Sequence, residues 1–356
     1  MKIEEGMAWQ HGAKGNGNGG TPISKKTPLN QLLKDLHEKG AMQVLWNAAS
    51  FDEEECLRQL HALVARADRA GMGVKVEPIV DRILKAQPDA FLFWIYKSQL
   101  RLSARDWKGG LSAGRRATEL DPRDAGAWFN MGIAAYELGL YEDSGKYLSM
   151  SFELNPQPRT IMEMGITQYR IGNRAEAFNL LETAYQKASI DPEVVETYGW
   201  HLHHAHLWER ALSILGDAAA FWPTRPKIRI FAALSASEID LKNKALQLIE
   251  PLLPYLYSGE VEKNLVGHAL LVFLKTGQLE VGLGVVAAYK GRPEMNDVFL
   301  YNAACLMSLA GKLKDARAYL KKAIDQDTGW IQNLMKTDPD LQYLRDSDPD
   351  LFSDTD

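Results

Sequence analysis

One pattern of small, apolar and polar positions repeats from Leu57 to Trp330, with a period of roughly 34 residues. The repeats begin at residues 57, 91, 125, 158, 192, 226, 263 and 297. Small residues recur at the eighth position (Gly132, Gly165, Gly199, Ala233, Ala304), the twentieth (Ala177, Ala211, Ala245, Gly282, Ala316) and the twenty-seventh (Ala117, Ser151, Ala184, Ala218, Ala323). Small residues at fixed offsets allow two helices to approach closely and pack.

Turn residues divide each repeat at two places. Glycines stand near the middle, where a first helix would stop: Gly139, Gly172, Gly277 and Gly311. Prolines stand near the end, where a second helix would stop: Pro88, Pro122, Pro156 and Pro223. Each repeat is therefore predicted to form two helices joined by short turns. Pro251 and Pro254 interrupt one second helix, so we expect a kink near residues 250–260.

These positions resemble the tetratricopeptide repeat family. The best match is AWFNMGIAAYELGLYEDSGKYLSMSFELNP, residues 127–156, followed by YNAACLMSLAGKLKDARAYLKKAI, residues 301–324. By its period, the resemblance covers roughly three quarters of the chain. It implies an all-α fold: a right-handed superhelical solenoid of about eight antiparallel helix pairs, closed by N- and C-terminal capping helices.

The remaining segments give the predicted domain organisation. Residues 1–27 form a flexible arm, because GAKGNGNGG is a linker composition, and residues 28–56 form N-terminal capping helices. The repeat array covers residues 57–330, and a capping helix with an acidic tail covers residues 331–356. Trp9 is either part of a loose leader or an anchor that docks into a groove of its own or a neighbouring chain, so self-association stays open.

Composition narrows the possible partners. The chain has a net charge of -5, and the segment 338–356 carries seven Asp and one Arg. The rest is nearly neutral, which counts against nucleic-acid binding, because that requires a basic face. Cys56 and Cys305 form no metal or redox pattern. The N-terminus has no apolar signal segment and no apolar run is long enough to span a membrane, so we expect a cytoplasmic protein.

The resemblance also implies a binding surface, since the first helices of such repeats line a concave face that usually holds the ligand. A stripe at repeat positions 2, 5, 9, 12 and 13 follows helical spacing and lies away from the packing positions. We call the following residues the predicted groove: Ile95, Gln99, Phe129, Ile133, Tyr136, Met162, Ile166, Tyr169, Arg170, Trp200, His203, His204, Ile230, Leu234 and Tyr301. Its apolar character favours a peptide or amphipathic helix of another protein. In a tightly curved array the same residues would bury one another.

Half of the eight histidines lie within WHLHHAH, residues 200–206. Helical spacing places His201 beside His204, and His203 beside His206. Imidazole suits zinc, nickel or copper, but neither a cysteine nor an acidic residue in helical register stands nearby. The cluster is therefore interpreted as a polar aromatic patch, a pH-sensitive patch or a metal site.

No phosphate loop, nucleophile elbow, zinc-protease helix or dinucleotide-binding glycine motif is present, so we predict neither catalysis nor a cofactor. The sequence favours a scaffold or adaptor that binds a partner in its groove. One alternative is a dedicated cytoplasmic chaperone for a secreted or assembly-prone subunit. Another is a metal- or pH-responsive regulator that uses the cluster from His201 to His206.

Overall fold

The computed structural model describes residues 73–292, 295–326 and 329–352. Within these ranges the chain consists of α-helices, short 3-10 turns and connecting loops, and it contains no strand. The all-α arrangement of helix pairs predicted from the repeat is confirmed. The predicted arm, the N-terminal capping helices and the first helix of the first repeat lie outside the described residues, as does the docking hypothesis for Trp9.

The chain divides into two compact units, residues 1–154 and residues 155–356. The described part of the first unit contains α1 (Gly73–Ala86), α2 (Phe91–Ser103), α3 (Trp107–Leu120), α4 (Ala125–Glu137) and α5 (Tyr141–Leu154). Helix α2 pairs with α3, and α4 pairs with α5. Helix α3 also packs against α4, so the two pairs form one stack.

The second unit continues the same alternation. Its paired helices are α6 (Pro158–Ile171), α7 (Arg174–Lys187), α8 (Pro192–His204), α9 (Trp208–Phe221), α10 (Pro226–Glu238), α11 (Lys242–Ile249), α12 (Leu253–Ser258), α13 (Lys263–Thr276), α14 (Leu279–Ala288), α15 (Asp297–Leu309) and α16 (Leu313–Ile324). Helices α17 (Gly329–Met335) and α18 (Gln342–Ser347) follow. The first helices α6, α8, α10, α13 and α15 each contact the next along the series, which brings their faces side by side.

Small residues are needed at the eighth repeat position because a large residue stands opposite. A methyl group added at Gly132 would lie 2.6 Å from the Leu148 side chain, and one at Gly199 would lie 2.3 Å from Leu215. Both leucines are fully buried. The small residues that the sequence places at the eighth, twentieth and twenty-seventh positions are likewise buried. Close approach of the paired helices therefore explains the repeat.

The second helix of the repeat that begins at residue 226 is interrupted. Helix α11 ends at Ile249, a 3-10 turn covers Glu250–Leu252, and α12 ends before Gly259, whose φ is +75°. Pro251 and Pro254 cannot donate the backbone hydrogen bonds that a continuous α-helix needs.

The C-terminal segment packs against the last helix pair. Leu341 and Leu344 are buried, and the Arg345 guanidinium donates to the carbonyl oxygens of Met335 and Asp338 at 2.7 and 2.9 Å. Much of this acidic segment is thus folded onto the array. In the described ranges, none of the helices combines the length and apolarity required to cross a bilayer.

Candidate functional site

Eleven of the predicted groove residues keep exposed surface, and they lie on the first helices of both units. In the first unit, Gln99 is exposed, whereas Ile95, Phe129, Ile133 and Tyr136 are partly buried. In the second unit, Arg170 and His204 are exposed, whereas Ile166, Tyr169, Trp200 and His203 are partly buried. Their role in binding stays a prediction.

Four predicted groove residues are buried, which corrects their assignment as partner contacts. Met162, Ile230, Leu234 and Tyr301 are each exposed by 4% or less. Helix α10, which carries Ile230 and Leu234, packs against α8, α9, α11 and α13 and is covered along most of its length. Neighbouring helices thus remove its side chains from solvent.

Tyr301 is covered for a different reason. The C-terminal segment lies over α15, and the Tyr301 hydroxyl donates to Asp338 Oδ2 at 2.7 Å. Burial is the main cause that raises the pKa of this hydroxyl, so it stays protonated. The chain itself therefore occupies the position that the sequence pattern assigned to a partner.

Two residues missing from the predicted groove lie beside its histidines. Phe231 on α10 and His268 on α13 have ring centroids 5.1 Å apart. Both stand at the sixth repeat position, one residue after the fifth position included in the predicted stripe. A stripe at positions 6, 9 and 13 also has helical spacing and would have found them.

These residues form a continuous cluster with the end of α8, which we call the aromatic–histidine surface: Trp200, His203, His204, Phe231 and His268. The Trp200 and His204 ring centroids are 4.0 Å apart, and the His203 and Phe231 centroids are 5.4 Å apart. Phe231 is itself buried and forms the floor, whereas the other four side chains keep exposed surface. Three neighbouring first helices therefore contribute to one apolar, ring-lined area.

Hydrogen bonds fix the orientation of its imidazoles. His204 Nδ1 lies 2.9 Å from the Trp200 carbonyl oxygen, and His268 Nδ1 lies 3.2 Å from that of Asn264. His203 Nδ1 lies 2.9 Å from Ser235 Oγ. Each ring is thus held against a helix through one nitrogen.

The same environment keeps the histidines uncharged near neutral pH. Burial lowers the pKa of His203 to about 3 and that of the adjacent His201 to about 4. Burial also lowers the pKa of His204 and of His268. The nearby positive charge of Lys227 also lowers the pKa of His201 and of His204.

Ion pairs between neighbouring first helices flank this neutral centre. Glu196 of α8 pairs with Lys227 of α10 at 3.3 Å. Toward the other end of the helices, Glu238 of α10 pairs with Lys275 of α13 at 3.1 Å. Glu196 also pairs with Arg225, the residue before α10, at 3.6 Å. The surface therefore has an aromatic centre with ion pairs toward both ends.

A metal site built from the histidine cluster lacks the required geometry. Among the described residues, three potential ligand atoms lie within 4.8 Å of one another only at Cys305, Asp338 and Asp340. The histidine cluster does not bring three such atoms this close together. Asp338 in that group accepts hydrogen bonds from Tyr301 and from the Asp340 backbone N–H, so its carboxylate serves the C-terminal fold. His206 lies in the turn after α8, with a φ of +61°.

Comparisons with known proteins agree with this architecture. Residues 97–157 match the sequence profile of the tetratricopeptide repeat family. A tetratricopeptide repeat protein from Parabacteroides merdae ATCC 43184 aligns with 72% of this chain and 97% of its own, at 10% identity and a TM-score of 0.52. The hetero-tetramer of Cut9 and Hcn1 from APC/C contains a chain that aligns over 83% of this one and 52% of its own, at 13% identity and a TM-score of 0.55. No curated protein matches this sequence.

Proposed function

We propose that this chain, which has the fold of tetratricopeptide repeat proteins and matches their family model over residues 97–157, is a protein-interaction scaffold that holds a peptide or helical segment of a partner on its aromatic–histidine surface. The fold itself supports a role in protein–protein interaction. One protein of similar fold was crystallised in a hetero-tetramer, Cut9–Hcn1, which agrees with such a role.

The observation that carries the proposal is the arrangement of the aromatic–histidine surface. An apolar centre with large rings and a polar rim is the composition of energetic centres in protein interfaces. Trp200 keeps exposed surface beside His204, and paired charges at Glu196 and Glu238 lie toward the two ends. A polypeptide segment that crosses the first helices would bury the rings and leave the ion pairs at the edge.

The polar groups of this surface favour binding rather than catalysis. Ser235 contacts His203, but it is fully buried and its hydroxyl donates to the Phe231 carbonyl oxygen at 2.7 Å. It is therefore not oriented as a nucleophile toward a base. The lowered histidine pKa values also place protonation below the neutral range, which disfavours a pH-dependent regulator acting near pH 7.

Replacing Trp200 tests the proposal. We expect Trp200→Ala to reduce recovery of the partner at least tenfold, since loss of a central aromatic anchor costs roughly 2 kcal/mol or more. The full-length chain, tagged and expressed in its native host, is purified, and stoichiometric partners are quantified by mass spectrometry. Recovery of one small protein in a fixed ratio would additionally support the chaperone alternative.

Phe221→Ala is the matched control. Phe221 is a large aromatic residue at the end of α9, is 78% exposed and lies outside the aromatic–histidine surface. Its removal should leave partner recovery unchanged, and circular dichroism should show that both variants are folded. Equal recovery with Trp200→Ala and the wild type, or a loss confined to Phe221→Ala, would refute the assignment.

A further inference from the structure

The hydrogen bonds of the aromatic–histidine surface fix which ring nitrogens carry a proton. A carbonyl oxygen only accepts, so Nδ1 of His204 and Nδ1 of His268 must donate to their backbone partners. The single hydrogen of the Ser235 hydroxyl is given to the Phe231 carbonyl. Ser235 Oγ therefore accepts from His203, whose Nδ1 also carries the proton.

Three imidazoles consequently share one tautomer. A neutral ring that is protonated at Nδ1 has an unprotonated Nε2, which is a hydrogen-bond acceptor. The carbon Cε1 separates the two nitrogens, so the lone pair of Nε2 diverges widely from the Nδ1–H bond and points away from the oxygen that Nδ1 contacts. His204 is exposed and His203 and His268 are partly so. The surface thus presents acceptors set among aromatic rings.

The charges around these acceptors select a neutral donor. Burial already disfavours a positive charge on the rings themselves. Glu196 and Glu238, which lie toward the two ends of the surface, are already paired with Lys227 and Lys275, so they offer little attraction to a cationic group brought to its centre. Arginine and lysine side chains are therefore poor occupants, whereas an uncharged O–H or N–H meets no electrostatic penalty.

Among protein side chains, tyrosine and tryptophan combine an aromatic ring with such a donor. We propose that the aromatic–histidine surface recognises a tyrosine or tryptophan side chain of the partner, which stacks beside Trp200 and donates its O–H or N–H to a histidine Nε2. This inference rests on the proposed function and specifies the chemistry of the anchor that the scaffold holds.

A pair of small probes tests donor recognition without a known partner. N-acetyltryptophanamide carries the indole N–H, and its N1-methyl derivative has the same ring but lacks that donor. The full-length protein, labelled with 15N at histidine, is titrated with each probe near pH 7.5, and the Nε2 resonances are followed in long-range 1H–15N spectra. We expect the first probe to shift the Nε2 resonance of His204 or His268, and the methylated probe to shift it at least fivefold less.

The variant His204→Phe supports the assignment of resonances and keeps a ring at this position. It should abolish the His204 response while His206, in the neighbouring turn, remains an internal reference. Equal shifts with both probes would overturn donor recognition but leave partner recovery by the scaffold intact. No shift with either probe would overturn the proposal as well. Shifts that grow with protein concentration in the absence of probe would identify a second copy of the chain as the occupant, again against the proposal.

Discussion

The substitution Gly267→Ala is expected to lower the free energy of unfolding by about 3 kcal/mol, the upper end of the range for overpacking. A Cβ at this position would lie 2.6 Å from the Phe299 backbone nitrogen and 2.9 Å from the Val298 carbonyl carbon. These atoms belong to the backbone around the first turn of α15 and cannot rotate away as a side chain could. Helices α13 and α15 would have to separate.

Separation of these helices would also disturb a buried hydrogen bond. Asn302 Nδ2 donates to the Gly267 carbonyl oxygen at 2.9 Å, and Asn302 is buried. An unsatisfied buried amide adds to the cost of the methyl group. The measurement is urea unfolding of the full-length chain followed by circular dichroism.

Gly216→Ala is the matched control in the same unit. Gly216 lies within α9, and a methyl group there meets only Leu212 Cδ1 at 3.6 Å, an ordinary contact. Alanine favours the helix over glycine by up to about 1 kcal/mol, so this variant should be slightly more stable than the wild type. Two identical chemical changes thus have opposite expected signs. A stabilised or unchanged Gly267→Ala variant would contradict the described contact between α13 and α15.

Acidification is expected to destabilise the fold between pH 6.5 and about pH 4. The pKa of His201 is lowered to about 4 and that of His203 to about 3, chiefly by burial. Between these values and the unfolded-state pKa of about 6.5, the unfolded chain binds protons that the folded chain does not. Stability is therefore full above pH 6.5 and falls by up to about 1.4 kcal/mol per pH unit for each imidazole.

The variant His201→Phe removes one of the imidazoles that make the free energy of unfolding depend on pH. Phenylalanine keeps a ring against Tyr169 and Trp200, whose centroids lie 4.9 and 4.7 Å from that of His201, but it does not titrate. Free energies of unfolding are measured between pH 7.5 and pH 5; below pH 6.5 they should fall less steeply for this variant, by up to about 1.4 kcal/mol per pH unit. Carboxylates contribute mainly below pH 5, so the difference between the two proteins is read above that value. Parallel slopes would show that His201 is not desolvated.

The repeat allowed most of the architecture to be predicted from sequence. Small residues at fixed offsets indicate where helices pack closely, and turn residues indicate where helices end. The observed first helices begin at Pro158, Pro192, Pro226 and Lys263, at the starts of the predicted repeats. Each repeat packs mainly on its neighbours, so local patterns are sufficient to define such helices.

The proposed binding surface was harder to predict because burial depends on neighbouring helices that the repeat period does not encode. Ile230 follows the same helical spacing as exposed residues in other repeats, but it is covered where α10 packs between neighbouring helices. Tyr301 is covered through its contact with Asp338, which lies 37 residues later in the chain and outside the repeat. Phe231 and His268 were missed because they stand at the sixth repeat position, which the assumed stripe of positions 2, 5, 9, 12 and 13 does not include.

Site-specific photo-crosslinking tests the central claim most directly. Benzoylphenylalanine is placed at position 204 or at position 221 of the full-length chain, and each protein is irradiated with the partner that co-purifies with the wild type. A covalent adduct from position 204, with none from position 221, is the predicted result. Adducts from position 221 with none from position 204 would contradict the assignment of the aromatic–histidine surface as the partner-binding site.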